Sequence, residues 1–148
     1  MSGAPASEDL ALIRDWFEEL ARHVRAVDFA AARHLFAEDM IAFGTYSDFV
    51  VGREAVEAQQ WRKVWPLIAH FRWRLDGLQA LVGADRLSAL GMACFDSQGY
   101  GSDGAAYERP GRATVAFRRP ERGTHWIAQH THMSLFRGVP QQSFGRKP

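Results

Sequence analysis

Between Leu10 and Val27 the apolar positions Leu10, Ile13, Phe17, Leu20, Val24 and Val27 return at steps of three and four, with Arg14, Glu18, Arg22 and Arg25 between them. That spacing is one stripe of a 3.6-residue period and predicts an amphipathic helix with its charged side in solvent. Ser7 is positioned to cap it, and Glu8 and Asp9 put negative charge where the helix dipole favours it. Asp28 is positioned to cap a shorter second helix, with Phe29, Ala32, Leu35 and Phe36 on its apolar side and Glu38-Asp39 after it. The chain therefore opens with an αα-hairpin.

From Met40 to Val51 the residues become β-branched and aromatic, broken by Gly44 and Ser47-Asp48, which predicts a short hairpin with Tyr46 and Asp48 near its turn. After Gly52 the segment REAVEAQQWRKVWPLI returns to helical spacing, with Ala55, Ala58, Trp61, Trp65 and Ile68 along one stripe. The second half alternates with period two: Phe71, Trp73 and Leu75 against Arg72, Arg74 and Asp76, then Leu78 to Val82, then Leu87 to Phe95 beyond a Gly83-Ala84-Asp85 turn. A polar stretch around Asp103 reads as a mobile rim. In RATVAFRR, Arg112, Thr114, Ala116 and Arg118 alternate with Ala113, Val115 and Phe117.

The last strand is WIAQHTHMSLF, Trp126 to Phe136. If it is regular, Trp126, Ala128, His130, His132 and Ser134 share one face. Residues 137–148 read as a tail, ordered only if it docks on a neighbour. Helices first and strands afterwards predict the α+β class: a cone-shaped, strongly curved antiparallel sheet wrapped around N-terminal helices, enclosing a conical pocket.

Composition narrows the partners. A chain of 148 residues, 47% hydrophobic and 24% charged, fits one domain, 1–148, with its core at about 7–136. With 18 basic and 17 acidic side chains the net charge is +1, which gives nucleic acid or an anionic membrane no electrostatic hold. The single cysteine, Cys94, lies in an apolar run and reads as a buried, inert thiol in a reducing compartment. No stretch approaches the roughly 18 apolar residues of a membrane span, and the N-terminus lacks a basic region followed by an apolar core, so a cytoplasmic protein is expected. No phosphate-binding glycine signature occurs.

Candidate chemistry centres on three places. His130 and His132 can supply an acid and a base near neutral pH, or serve as hydrogen-bonded structural histidines; with no further ligands in view, no metal is expected. Arg112 carries a planar fork suited to a carboxylate, or pairs with Asp48 or Asp96 at the sheet edge. Tyr46 and Trp61 would complete a largely apolar cavity.

The order helix, helix, short strands, long helix, then four strands resembles the nuclear transport factor 2-like superfamily, which includes ketosteroid isomerase. VVGREAVEAQQW is similar to its strand-to-helix junction, and GRATVAFRR followed by WIAQHTHMS to the closing strand pair of its SnoaL-like branch and of the association domain of calcium/calmodulin-dependent kinases. The likeness covers roughly Ser7 to Phe136. The segment matching the isomerase's general base is Phe43-Gly44-Thr45, without a carboxylate, and its first-helix tyrosine has only Trp16 and Phe17 here, so steroid isomerisation is not implied. In the kinase association domain the pocket arginine of the last strand matches Met133, which implies that Thr131 and Met133 point inward and the histidines outward, against the simple parity above. The arginine that serves small carboxylates on the preceding strand matches Thr114, two residues from Arg112 and on the same face. The resemblance thus implies a pocket for a small, partly apolar, carboxylate-bearing molecule, with any catalysis being cofactor-free acid-base chemistry. A non-catalytic homodimerisation module is the alternative.

Overall fold

In the computed structural model, which describes residues 5–44 and 48–148, the apolar stripe forms helix α1 (Ser7–Ala26) and buries Ile13, Trp16, Phe17, Leu20 and Val24. The cap position is Ala6 rather than Ser7, and no side chain caps it. At the other end Val27 turns left-handed, and the N–H groups of Val27 and Asp28 return to the carbonyls of Val24 and His23. Asp28 does cap α2 (Phe29–Ala32), its Oδ1 accepting from the Ala31 N–H at 3.1 Å. A 3-10 turn, Arg33–Leu35, then leads directly into β1 (Phe36–Phe43), so Glu38 and Asp39 lie in a strand. Trp16 holds this entry, donating from Nε1 to the Leu35 carbonyl at 2.9 Å and packing edge-on against Phe36.

The remaining strands are β2 (Phe49–Val51), β3 (Ala69–Trp73), β4 (Gln79–Val82), β5 (Ser88–Tyr100), β6 (Ala106–Glu108), β7 (Gly111–Arg118) and β8 (Ile127–Leu135). They form one curved eight-stranded sheet with the path β2-β1-β8-β7-β5-β3, and β4 and β6 also pair with β5. Every pairing is antiparallel except β1 with β8, so the sheet is mixed where an antiparallel one was expected. The stretch expected to be a mobile rim is a hairpin: β5 runs on to Tyr100, which pairs with Ala106, and Gly104 supplies the positive φ of the turn.

Helix α1 lies against the face of the sheet that carries Ala113, Val115 and Phe117. The approach is close. A Cβ on Gly91 would stand 2.9 Å from both the Phe17 and Phe117 rings. Trp16, Phe17, Trp73 and Phe117 meet there edge-to-face at 4.8–6.1 Å between centroids. The tail docks on its own chain. Ser143 is buried; its hydroxyl donates to the Leu67 carbonyl and accepts from the Tyr100 N–H, and Phe144 N–H reaches the Tyr100 carbonyl.

Two buried carboxylates, each gripped by two arginines, tie these layers together. Asp9, with no exposure, accepts from Arg86 at 2.7 and 3.0 Å and from Arg119 at 2.5 Å. Arg119 also donates to the carbonyls of Arg86 and Thr124 and lies 3.9 Å above Trp126, whose Nε1 donates to the Asp9 carbonyl. One node thus fastens the start of α1 to the β4–β5 and β7–β8 turns. Glu57 is held the same way by Arg33 and Arg62, at 2.5–3.0 Å.

The Arg86 hydrogen bond, seconded by Arg119, holds the Asp9 carboxyl below the usual carboxylate range, and Arg33, with Arg62 behind it, takes Glu57 from 4.5 to about 2. Both folded pKa values lie below the unfolded ones, so their stabilisation is present above the ordinary carboxylate pKa and is lost as pH falls from there towards about 2. Melting temperature should therefore be level near neutrality and fall progressively below about pH 4.5. Replacing Asp9→Asn takes the charge partner from the buried Arg119, leaves Arg86 with Glu8 at 3.8 Å, and should cost about 3–5 kcal/mol in urea unfolding.

Candidate functional site

A cavity of about 80 Å³ opens between the helical segment after β2 and the inner face of the sheet. Its walls are mostly apolar, among them Phe36, Trp61, Trp65, Phe71, Phe95 and Met133, with Gln60, Arg109 and Thr131 as polar contributors. Two features of the chain build it.

The first is a break in helical phase. The segment runs as α3 (Arg53–Val56), a π-helical turn (Glu57–Trp61), α4 (Arg62–Val64) and a 3-10 turn (Trp65–Leu67). Widening at the π-turn is a recurrent way to re-aim side chains at functional sites. Here Trp61 and Trp65 stack at 5.0 Å and 14°. Phe29 stacks on Trp65 at 5.3 Å, the Arg62 guanidinium lies 4.4 Å from the Phe29 centroid, and Phe36 leans on Trp61 at 4.9 Å. Because Arg62 also grips Glu57, the pile is anchored at its outer end by the buried carboxylate. The wall is rigid by construction.

The second is a bulge in β8. Ala116 pairs with His130 and Phe117 with Ala128, so Gln129 is an extra residue. Trp126 and Ala128 are fully buried before it; after it Thr131 and Leu135 are buried and Met133 joins the cavity wall. The face expected to carry Trp126, Ala128, His130, His132 and Ser134 together does not exist, because the bulge reverses the alternation halfway along. The inward Thr131 and Met133 agree with the orientation that the kinase-domain resemblance implied.

His130 and His132 therefore lie on the outer face. His130 Nδ1 is 2.8 Å from the Ile41 carbonyl, which makes that nitrogen the donor. Both rings pack around Phe43, at 5.8 and 4.9 Å. Arg112 and Thr114 share that outer face, paired across the ladder with Ser134 and His132, so neither lines the cavity. Arg112 does not make the expected ion pair either: Asp96 is taken by Arg74 at 2.7 and 2.9 Å, and the Arg112 guanidinium lies 4.8 Å from the Phe136 ring. Cys94, opposite Arg112, is half-buried on the same outer face rather than in the core. Asp48 is exposed. Trp61 is in the cavity wall, and Tyr46 lies outside the described residues.

The cation at the cavity is Arg109, which the sequence reading passed over. It is 2% exposed and sits just ahead of β7, where its carbonyl accepts from Ser97 Oγ at 2.7 Å and its N–H donates to the Ser97 carbonyl at 2.9 Å. Burial lowers its pKa from the ordinary arginine value, yet a guanidinium remains a cation at neutral pH. The signal for it was parity: Phe117, Val115, Ala113 and Gly111 are the buried positions of β7, and two further steps back arrive at Arg109. Among the described lining residues there is no carboxylate and no imidazole. The described walls thus hold a cation and no general base.

Among the described residues, no helix is long and apolar enough to cross a membrane, and no group of three or more His, Cys, Asp or Glu is gathered to hold a metal ion. No curated protein matches the chain. Solved structures do. A ketosteroid isomerase-like protein from Erwinia carotovora superposes with a TM-score of 0.73 at 14% identity, over 88% of this chain and 98% of that one. A nuclear transport factor 2-like protein with a cystatin-like fold from Novosphingobium aromaticivorans gives 0.68 at 22% identity, over 89% and 84%. The association domain of C. elegans CaMKII gives 0.62 at 16% identity, over 86% and 95%. At these identities the likeness establishes the fold, an α+β roll of the nuclear transport factor 2 type. The SnoaL-like domain model matches residues 13–138, nearly the whole helix-and-sheet body with both features that build the cavity, and the chain belongs to that family.

Proposed function

We propose that the protein binds a small, partly apolar carboxylate in the cavity, with Arg109 as the anion contact and Trp61 as part of the apolar wall. The observation that carries this is a 2%-exposed guanidinium bordering a mostly apolar chamber. Its Nη1 also donates to Ser97 Oγ at 3.5 Å, and the guanidinium fork matches a carboxylate in shape and charge. Size limits the ligand. At about 80 Å³ the chamber is roughly half of a 150 Å³ cavity that takes up benzene, so a body of a few carbon atoms fits and a steroid does not.

The test is a thermal-shift screen of short-chain carboxylates. A ligand at a hundred times its Kd should stabilise the wild type by about 2.7 kcal/mol, and Arg109→Gln should lose most of that response while Arg112→Ala keeps it. Equal stabilisation of the wild type and the Arg109 variant, or none of either by any carboxylate, would defeat the reading.

A second reading concerns the outer face. Phe49 is 68% and Val51 67% exposed on the edge strand β2, and Ile41, Phe43, His130 and His132 continue that surface. Aromatic side chains of this size in solvent favour a partner sheet, and a second copy of the chain supplies the same surface. The C. elegans structure is described as the association domain of CaMKII, which supports reading this surface as a contact between chains. Light scattering at micromolar concentration should give a dimer mass, and Phe49→Glu should return the monomer; a monomeric wild type ends this reading.

A further inference from the structure

The cavity does not end at Arg109. A second, smaller space of about 30 Å³ lies on its other side, and Arg109, Val64 and Ile68 border both. Its outer wall is made by the C-terminal segment, through Gln141, Gln142 and Ser143, and its helical wall includes Lys63. The lining polar groups are thus two cations, two amides and a hydroxyl, with no carboxylate among the described lining residues.

That outer wall is built firmly. Ser143 Oγ bridges the Leu67 carbonyl at 2.5 Å and the Tyr100 N–H at 2.9 Å, Tyr107 Oη donates to the Gln142 carbonyl at 3.1 Å, and Phe144 N–H reaches the Tyr100 carbonyl at 2.8 Å. Gly145 passes so near Leu67 that a Cβ would come within 2.9 Å of it. The segment is therefore part of the site's architecture, held at both the helical wall and the end of β5.

We propose that this space is an anion subsite, formed by Lys63, Arg109 and the C-terminal segment, that takes the carboxylate head of the ligand while the apolar chamber takes its body. The proposal rests on the binding function above and specifies where the charge sits. The second space is the smaller, about 30 against about 80 Å³, and its lining is the more polar, which suits a compact charged head rather than an apolar body. Arg109, touching both spaces, stands where head and body join. Lys63 adds a compact, strongly hydrated positive charge at the outer side, which draws an anion more strongly than a neutral amide of the same skeleton.

Lys63, Gln141 and Gln142 are exposed, so Lys63→Gln and the double variant Gln141→Ala/Gln142→Ala should fold normally. Propanoate, butanoate and 3-methylbutanoate, each beside its uncharged amide, are titrated by calorimetry against wild type and both variants. The wild type should prefer each acid over its amide by about tenfold, and each variant should weaken acid binding by roughly threefold to tenfold and narrow that preference. Variants that bind the acids as the wild type does, or a wild type that binds acid and amide alike, would overturn the subsite and leave the chamber's binding role standing. A wild type that binds neither acid nor amide would overturn both.

Discussion

One extra residue in the last strand governs what this fold offers to a ligand. Side chains on a strand alternate strictly, so inserting Gln129 between the ladder partners of Ala116 and Phe117 exchanges the faces for everything after it. Before the bulge, Trp126 and Ala128 complete the core beneath α1. After it, Thr131 and Met133 line the cavity and both histidines are turned outward. A regular β8 would present imidazoles to the ligand chamber and methionine to the outer face; the bulged one makes the chamber apolar and leaves its charge to Arg109.

The cavity survives because its surroundings are tied from the outside. Its helical wall is a pile of aromatic rings ending in Arg62, and Arg62 is held by a carboxylate that Arg33 also holds. The far end of the molecule repeats the device with Asp9, Arg86 and Arg119. A lone buried carboxylate would be destabilising, and two bidentate or near-bidentate arginines convert it into a fixed joint between elements distant in sequence. Membership of the SnoaL-like family accounts for the layout of helix and sheet, but the family fold is used for unrelated chemistry, and only the residues facing the chamber bear on what this member holds.

Much of the framework was legible from spacing. The stripe from Leu10 to Val24, the cap at Asp28, the helical segment after Gly52 and most of the alternating strands appear where the pattern puts them, because each is decided by local geometry and by one face needing burial; Leu75 and Asp76, read as strand, form a 3-10 turn, and Phe36, read as helical, opens β1. The alternation in RATVAFRR even contained the cation: the apolar positions face inward, and the same parity extended backward reaches Arg109 through Pro110 and Gly111. Arg112, inside the strand, has the opposite parity and faces outward.

By itself, then, the sequence determined the α+β class, the order of elements and the buried stripe of each, since these follow from periodicities of 3.6 and 2 that any short window contains. Tertiary structure alone decided which face of β8 meets the cavity, that β1 runs parallel to it, and that the tail packs on Tyr100 and Leu67 instead of leaving the surface. Those outcomes turn on register between segments far apart in the chain. The bulge carries no signature in WIAQHTHMSLF and shows only in the register of β8 against Ala116 and Phe117 of the neighbouring strand.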